Sequence, residues 1–257
     1  MKTEIIARLQ NVEAEEGVKI LYACESGSRA WGFPSADSDF DVRFLYLHPT
    51  DWYLSVDLER KRDVIERPIN DQIDLNGWDL RKALMLFRKS NPPLLEWLGS
   101  PIVYLEKYSI APQMRQLAET YYSSKACMYH YLHMARGNYR EYLKGEQVWL
   151  KKYFYILRPL LAINWLEKER GVVPTEFKVM VNELVTSATL KQAIEQLTQA
   201  KEQGEELAYG PRIPAISDFI DKEIKRLEGK QFSDGTDRRS VEPLNRLFRV
   251  ALREVWS

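Results

Sequence analysis

Two apolar rhythms divide this chain. From Lys2 to Ala14, the positions Ile5, Ile6, Leu9 and Val12 recur at helical spacing, which predicts an amphipathic first helix closed by Gly17. Val18-Lys19-Ile20-Leu21-Tyr22-Ala23 then reads as a strand running into Glu25 and a Gly27-Ser28 turn. Strand, small-residue turn and one helical turn over Ser28 to Trp31 make a geometry that points backbone N–H groups at an anion. Gly32, Pro34 and Ser35 break that turn, and Asp39 to Leu47 predicts a second strand. Alternation along it sends Phe40, Val42 and Phe44 to one face and Asp39, Asp41 and Arg43 to the other.

After a charged loop from Asp51 to Arg62, Asp63-Val64-Ile65-Glu66 and Gln72-Ile73-Asp74-Leu75 predict a hairpin around Pro68-Ile69-Asn70. Ile73 and Leu75 face the core there, so Asp74 turns the opposite way. Asp79 is placed to cap a helix from Leu80 to Lys89 with Leu80, Ala83, Leu84 and Phe87 as its buried stripe. Asn91-Pro92-Pro93 stops that helix and opens another carrying Leu94, Leu95, Trp97 and Leu98, and Pro101 to Tyr104 adds a short strand.

From Pro112 onwards the two-residue period disappears. Helices are expected over 112–122, 125–143, 147–168, 176–185, 188–206, 213–227 and 243–255, with Ser123-Ser124 capping the first long one. Tyr209-Gly210-Pro211 and the segment from Ser233 to Arg239 read as loops. These patterns predict two domains, 1–110 and 111–257, the second all-helical.

Composition changes this picture little. The 37 Lys plus Arg balance the 37 Asp plus Glu, so any nucleic-acid surface is local rather than global. Two cysteines in 257 residues and an opening that does not resemble a leader point to a reducing, cytoplasmic setting. No apolar run approaches the ~18 residues of a membrane span.

The chemistry concentrates in Asp39, Asp41 and Asp74. Two acids on one strand face are about 6.5–7 Å apart at the backbone and reach one cation, and three carboxylates in one place stay ionised only beside positive charge. Taken alone, a D-x-D sequence is more often a pair of turn and edge acids; the upstream Gly-Ser turn and the later acid inside an apolar pattern reverse that balance. A calcium loop starting at Asp37 fails, because Val42 and His48 stand where it needs glycine and glutamate. His130 and His133 lie three apart on a helix but lack a third ligand at useful spacing.

Gly27-Ser28, the following Gly32, Ser38-Asp39-Phe40-Asp41 and the downstream Asp74 resemble the signature of the DNA polymerase β-like nucleotidyltransferase superfamily. The segments 25–32, 73–83 and 90–97 resemble more narrowly its bacterial and phage group of predicted RNA-ligase-associated nucleotidyltransferases, with likeness continuing through 151–160. The resemblance implies an α+β fold, a nucleotidyltransferase head of small mixed sheet and helices followed by a helical domain that closes over it. It implies that Gly27 and Ser28 hold a triphosphate, that Asp39 and Asp41 bridge two Mg²⁺ ions (with Mn²⁺ as a substitute), and that Asp74 holds the catalytic ion. Arg29 becomes a candidate phosphate contact.

Lys152, Tyr155 and Arg158, offset by three, are expected on one helix face, where family analogy has Tyr155 stack a base and the cations bind phosphate. The aromatic and basic residues Tyr129, Tyr131, Tyr139, Tyr142, Arg136, Arg140 and Lys144 allow either an RNA-facing surface or a helix packed by its rings, and Arg246, Arg249 and Arg253 allow the same two readings. The expected reaction moves a nucleoside monophosphate from a triphosphate such as ATP to an acceptor hydroxyl, most simply an RNA end. A protein side chain as acceptor and a catalytically silent nucleotide- or RNA-binding module are the alternatives.

Overall fold

The computed structural model describes residues 1–204, 207–233 and 239–257. They form two compact units that interleave in sequence. The first holds Met1–Ala30, Asp39–Tyr122 and 239–257; the second holds Trp31–Ser38 and the described part of 123–233.

The first unit is built on a five-stranded mixed sheet. In chain order it contains α1 (Lys2–Glu16), β1 (Lys19–Glu25), the short α2 (Gly27–Trp31), β2 (Phe40–Leu47), the single turn α3 (Thr50–Tyr53), β3 (Val64–Asn70), β4 (Ile73–Asp79), α4 (Leu80–Arg88), α5 (Pro92–Leu98), β5 (Val103–Glu106) and α6 (Ile110–Tyr121). The strand order is β3-β4-β2-β1-β5; β2 and β4 are parallel and the other neighbours antiparallel. Ile5, Leu9 and Val12 of α1 pack on Ile20, Val42, Phe44, Ile65, Ile73 and Leu75. Burying each such side chain stabilises by roughly 1.5–3 kcal/mol. Because Val42, Phe44, Ile73 and Leu75 take the α1 face, Asp41, Arg43 and Asp74 emerge on the other.

The hairpin turn falls three residues later than the sequence suggests. Asp71 and Gln72, at φ 48° and 64°, make the two-residue turn between Asn70 and Ile73, and Pro68 lies inside β3. β3 is one of the sheet's two edge strands and its pairing is irregular between Arg67 and Asn70, so a residue without an N–H is tolerated there. The caps are as expected: the Asp79 side chain accepts from the Arg81 N–H, Asn91 from Leu94, and Ser123 from Ala126.

The second unit contains α7 (Ser124–Tyr142), β6 (Gln147–Trp149), α8 (Phe154–Glu167), α9 (Phe177–Leu184), α10 (Ala188–Glu202), β7 (Tyr209–Pro211) and α11 (Pro214–Arg226). It is not all helix. The stretch expected to be helical from Gln147 pairs as β6 with β7, passes through a 3-10 turn at Leu150–Tyr153, and becomes α-helical only at Phe154. Tyr209-Gly210-Pro211, expected as loop, is the partner strand. The helix expected over 188–206 is described to Glu202, and its end, like most of the loop expected over 233–239, lies outside the described residues.

The last helix, α12 (Glu242–Trp256), returns to the first unit and packs on α4 and α6. The second unit therefore differs in extent from a domain spanning 111–257. No helix among the described residues is long and apolar enough to cross a membrane.

Candidate active site

The parallel register of β2 and β4 sets Asp41 directly opposite Asp74. Between the two carboxylates lies Arg43, two residues along β2 on the same face. Its Nη2 donates to Asp41 Oδ1 at 2.9 Å and to Asp74 Oδ2 at 2.8 Å, while Nη1 donates to the carbonyls of Val42 and Asp74, each at 3.2 Å. All three side chains are partly buried, so the guanidinium neutralises a pair of like charges that would otherwise repel strongly. Burial still raises the Asp41 carboxyl above its ordinary range, with Arg43 opposing.

Of the three acids expected to share a cation, the structure brings two together. Asp39 is exposed, one residue before β2; its carbonyl accepts from Arg29 Nε at 3.2 Å, and the Arg29 guanidinium sits 3.7 Å from the centre of the Phe40 ring. Among the described residues no group of three or more His, Cys, Asp or Glu side chains gathers closely enough to hold a metal ion. The oxygen donors of Asp41 and Asp74 suit a hard divalent cation, but a metal ion binding their shared oxygens takes the place of the Arg43 guanidinium.

Gly27 opens α2 at φ 58°, and a Cβ on it would run into the Asp41 carboxylate. The residue is thus fixed twice, by its left-handed backbone and by the close approach of the carboxylate. Ser28 follows it in α2. The Ser26 N–H donates to the Asp41 carbonyl at 2.8 Å, which ties this turn to the start of β2.

Glu25 was not among the residues expected here. It is fully buried, accepts the Asp41 N–H at 2.7 Å, and takes a hydrogen bond from the Tyr104 hydroxyl. Burial pushes its carboxyl up to about 7. The sequence signal was an acid closing an apolar strand. Cys24 beside it is buried as well, and its thiol is pushed up to about 12 by burial, which removes it as a nucleophile.

In the second unit Lys152 lies in the 3-10 turn, not on α8. Its ammonium is surrounded by the rings of Tyr142, Tyr155 and Trp149, at 4.2, 5.0 and 5.6 Å. Arg158 points inward: it is 3 % exposed, stacks 4.7 Å from the Trp31 ring and donates to the Thr175 carbonyl. Of the three residues expected on one helix face, Lys152 and Tyr155 meet each other, while Arg158 is buried against Trp31. On α7 most of the aromatic and basic residues serve packing. Tyr131 is buried, Tyr139 donates to Asp221 at 2.7 Å, and Arg136 donates to the Leu227 carbonyl at 2.8 Å. Arg249 of α12 pairs with Glu242 on its own helix.

A small mixed sheet that presents paired carboxylates beside a glycine turn is an architecture of polymerase β-like nucleotidyltransferases. The sequence profile of the RNA repair pathway DNA polymerase beta family matches residues 1–250, and the chain belongs to that family. It is 50 % identical over 257 residues to the uncharacterized protein YcgL of Bacillus subtilis (strain 168), covering 100 % of this chain and 98 % of that one. A solved nucleotidyltransferase-like protein from Exiguobacterium sibiricum 255-15 aligns over 96 % of this chain and 79 % of its own, at 14 % identity and a TM-score of 0.35, too loose a superposition to bear on the site.

Proposed function

We propose that this protein transfers a nucleoside monophosphate from a nucleoside triphosphate to the hydroxyl of an RNA end and releases pyrophosphate, in the cytoplasm. The observation that carries the reading is the register pairing of Asp41 with Asp74 beside Gly27, two partly buried carboxylates held on adjacent parallel strands. The acceptor oxygen forms a bond to the α-phosphorus as the bond to the bridging oxygen breaks, and pyrophosphate leaves with that electron pair. Asp74 takes the hydroxyl proton. Asp41 and Asp74, with Asp39 at the start of β2, would hold two Mg²⁺, or Mn²⁺ in their place, once the Arg43 guanidinium yields its position, and such ions would neutralise the triphosphate and polarise the hydroxyl. Gly27 lets the Asp41 carboxylate lie against the turn, and Ser28 and Arg29 orient the triphosphate. Catalysis by such groups is positioning and charge neutralisation.

RNA as acceptor is supported by the family description and by the β6–β7 ribbon. There Tyr209, 65 % exposed, stacks on Trp149 with ring centres 5.6 Å apart, next to Lys151 and the caged Lys152. Exposed stacked rings flanked by cations accept unpaired bases regardless of sequence.

The test is incubation of the full chain with α-labelled triphosphates, Mg²⁺ and either RNA or cell protein. Label on RNA is expected, and Asp41→Asn should reduce it at least 100-fold with the fold intact by circular dichroism. Label on protein alone moves the acceptor to a side chain, no label with retained triphosphate binding makes the chain a binding module, and full activity in Asp41→Asn removes the assignment.

A further inference from the structure

On the α1 face of its sheet, the first unit holds a cavity of about 350 Å³. It lies where α1 ends at Glu16, walled by Tyr46 of β2, by Val64 and Ile65 of the edge strand β3, and by Trp52 and Lys61 of the connection between the two strands. Alternation along β2 puts Asp41 on the opposite face, so this space is separate from the paired carboxylates. Its volume falls within the range of small-molecule sites.

Tyr46 is fully buried in this wall, and its hydroxyl has no hydrogen-bond partner among the described residues. A hydroxyl taken out of water without a partner costs the fold free energy. Burial first, and then the carboxylates of Asp79, Asp63 and Glu16, hold it protonated well above the usual tyrosine range, with Arg62 opposing. It is a donor that lacks an acceptor.

The charged groups around the cavity are, by contrast, already matched. Arg67 donates to Glu15 and Glu16 at 2.9 and 2.6 Å, and Arg62 donates to Glu66 at 2.6 Å. The Lys61 ammonium donates to the Trp52 carbonyl at 3.1 Å and to the Ser55 hydroxyl, and lies 4.8 Å from the centre of the Trp52 ring. Burial pushes His48 down to about 4, so its ring is uncharged at neutral pH. That ring stacks on Trp52 at 4.0 Å and stands edge-on to Tyr46 at 5.5 Å. A charged guest would have to break one of these pairings, and an anion would also meet the carboxylates that act on Tyr46. An uncharged guest needs only to accept one hydrogen bond and set an apolar body among rings and aliphatic side chains.

We propose that this cavity binds a small uncharged aromatic molecule whose acceptor atom takes the hydrogen bond of the Tyr46 hydroxyl. The site stands whether or not the protein transfers nucleotides, because none of its residues belongs to the proposed transfer machinery.

The test is titration of the full chain with benzamide, followed through ligand-observed NMR. Benzamide is uncharged and offers a carbonyl acceptor on a flat ring; benzoate has the same shape with a negative charge. Benzamide should bind the wild type, and benzoate at least tenfold more weakly. Tyr46→Phe should weaken benzamide at least fivefold while melting no lower than the wild type in the absence of ligand, since the hydroxyl it removes holds nothing. Val64→Phe, at a half-buried position on the edge strand, narrows the cavity from another wall and should weaken benzamide as well. No binding by the wild type would leave the hydroxyl to water and overturn the site. Benzoate binding as tightly as benzamide, or equal benzamide affinity in the wild type and both variants, overturns it too. A lower melting temperature in Tyr46→Phe would show that the hydroxyl is already partnered, with the same consequence.

Discussion

Arg43 is the residue on which the candidate site turns. It is the resident counter-charge of Asp41 and Asp74, and a divalent ion binding that pair competes with it. In metal-free buffer, Arg43→Met should lower stability by about 1–3 kcal/mol, less than for a fully buried pair because all three groups keep some solvent contact. Mg²⁺ should then raise the melting temperature of the variant more than that of the wild type, read by thermal unfolding with and without the ion. Equal Mg²⁺ shifts in both proteins would mean that the guanidinium and the metal ion do not share a place. Alternation along β2 already put Arg43 on the face of Asp41. What alternation does not reveal is that a parallel neighbour thirty-odd residues on brings Asp74 within reach of the same guanidinium.

At the scale of elements, a short chain of hydrogen bonds links β2, α3 and the cap of α4. The His48 N–H donates to the Tyr53 hydroxyl oxygen at 3.0 Å, that hydroxyl donates to Asp79, and Asp79 accepts the Arg81 N–H at 2.8 Å. Burial pushes Asp79 up from 3.8 to about 6 and His48 down from 6.5 to about 4. A raised carboxyl is harmless below its unfolded value and destabilises as pH rises to the folded one. A lowered imidazole is harmless above its unfolded value and destabilises as pH falls to the folded one. Between about pH 4 and pH 6 the two contributions therefore oppose each other, each amounting to as much as about 3 kcal/mol. Asp79→Asn, which keeps a capping side chain, should lose more stability than the wild type between pH 7 and pH 4. His48→Phe should gain over the same range, and denaturant titrations at four pH values check both.

Element boundaries were legible where the signal is local. Asp79, Asn91 and Ser123 cap their helices through side chains two or three residues from the N–H they accept. The hairpin turn was not, because Asp71-Gln72 takes positive φ without a glycine to announce it. β6 was hidden for a different reason: three residues read as helix became a strand because Gly210 and its neighbours, some sixty residues away, supply the pairing.

On the scale of the whole molecule, the chain leaves the sheet-bearing unit and re-enters it. α12 buries Leu244, Leu247 and Ala251, places Phe248 edge-on to Tyr53 at 4.9 Å, and Glu254 accepts from the Ser109 N–H at 2.9 Å. A chain ended at Ser233 should therefore destabilise the first unit by at least about 3 kcal/mol, the value of two buried leucines. Hydrogen exchange would place the loss in α4 and α6; unchanged protection there would show that α12 contributes no stability to that unit.

The sequence by itself determined the amphipathic α1, the facing of Asp41 and Asp74 away from the core, the capped helices and the family resemblance. All of these follow from periodicity and from contacts within a few residues. Tertiary structure alone decided that Arg43 sits between the two acids, that Asp39 is exposed just before β2, that Lys201 meets Ser35 and Ser38, and that α12 rejoins the first unit. Each of these depends on which distant segments become neighbours, and a one-dimensional pattern carries only the period of a face, not the identity of what will lie across from it.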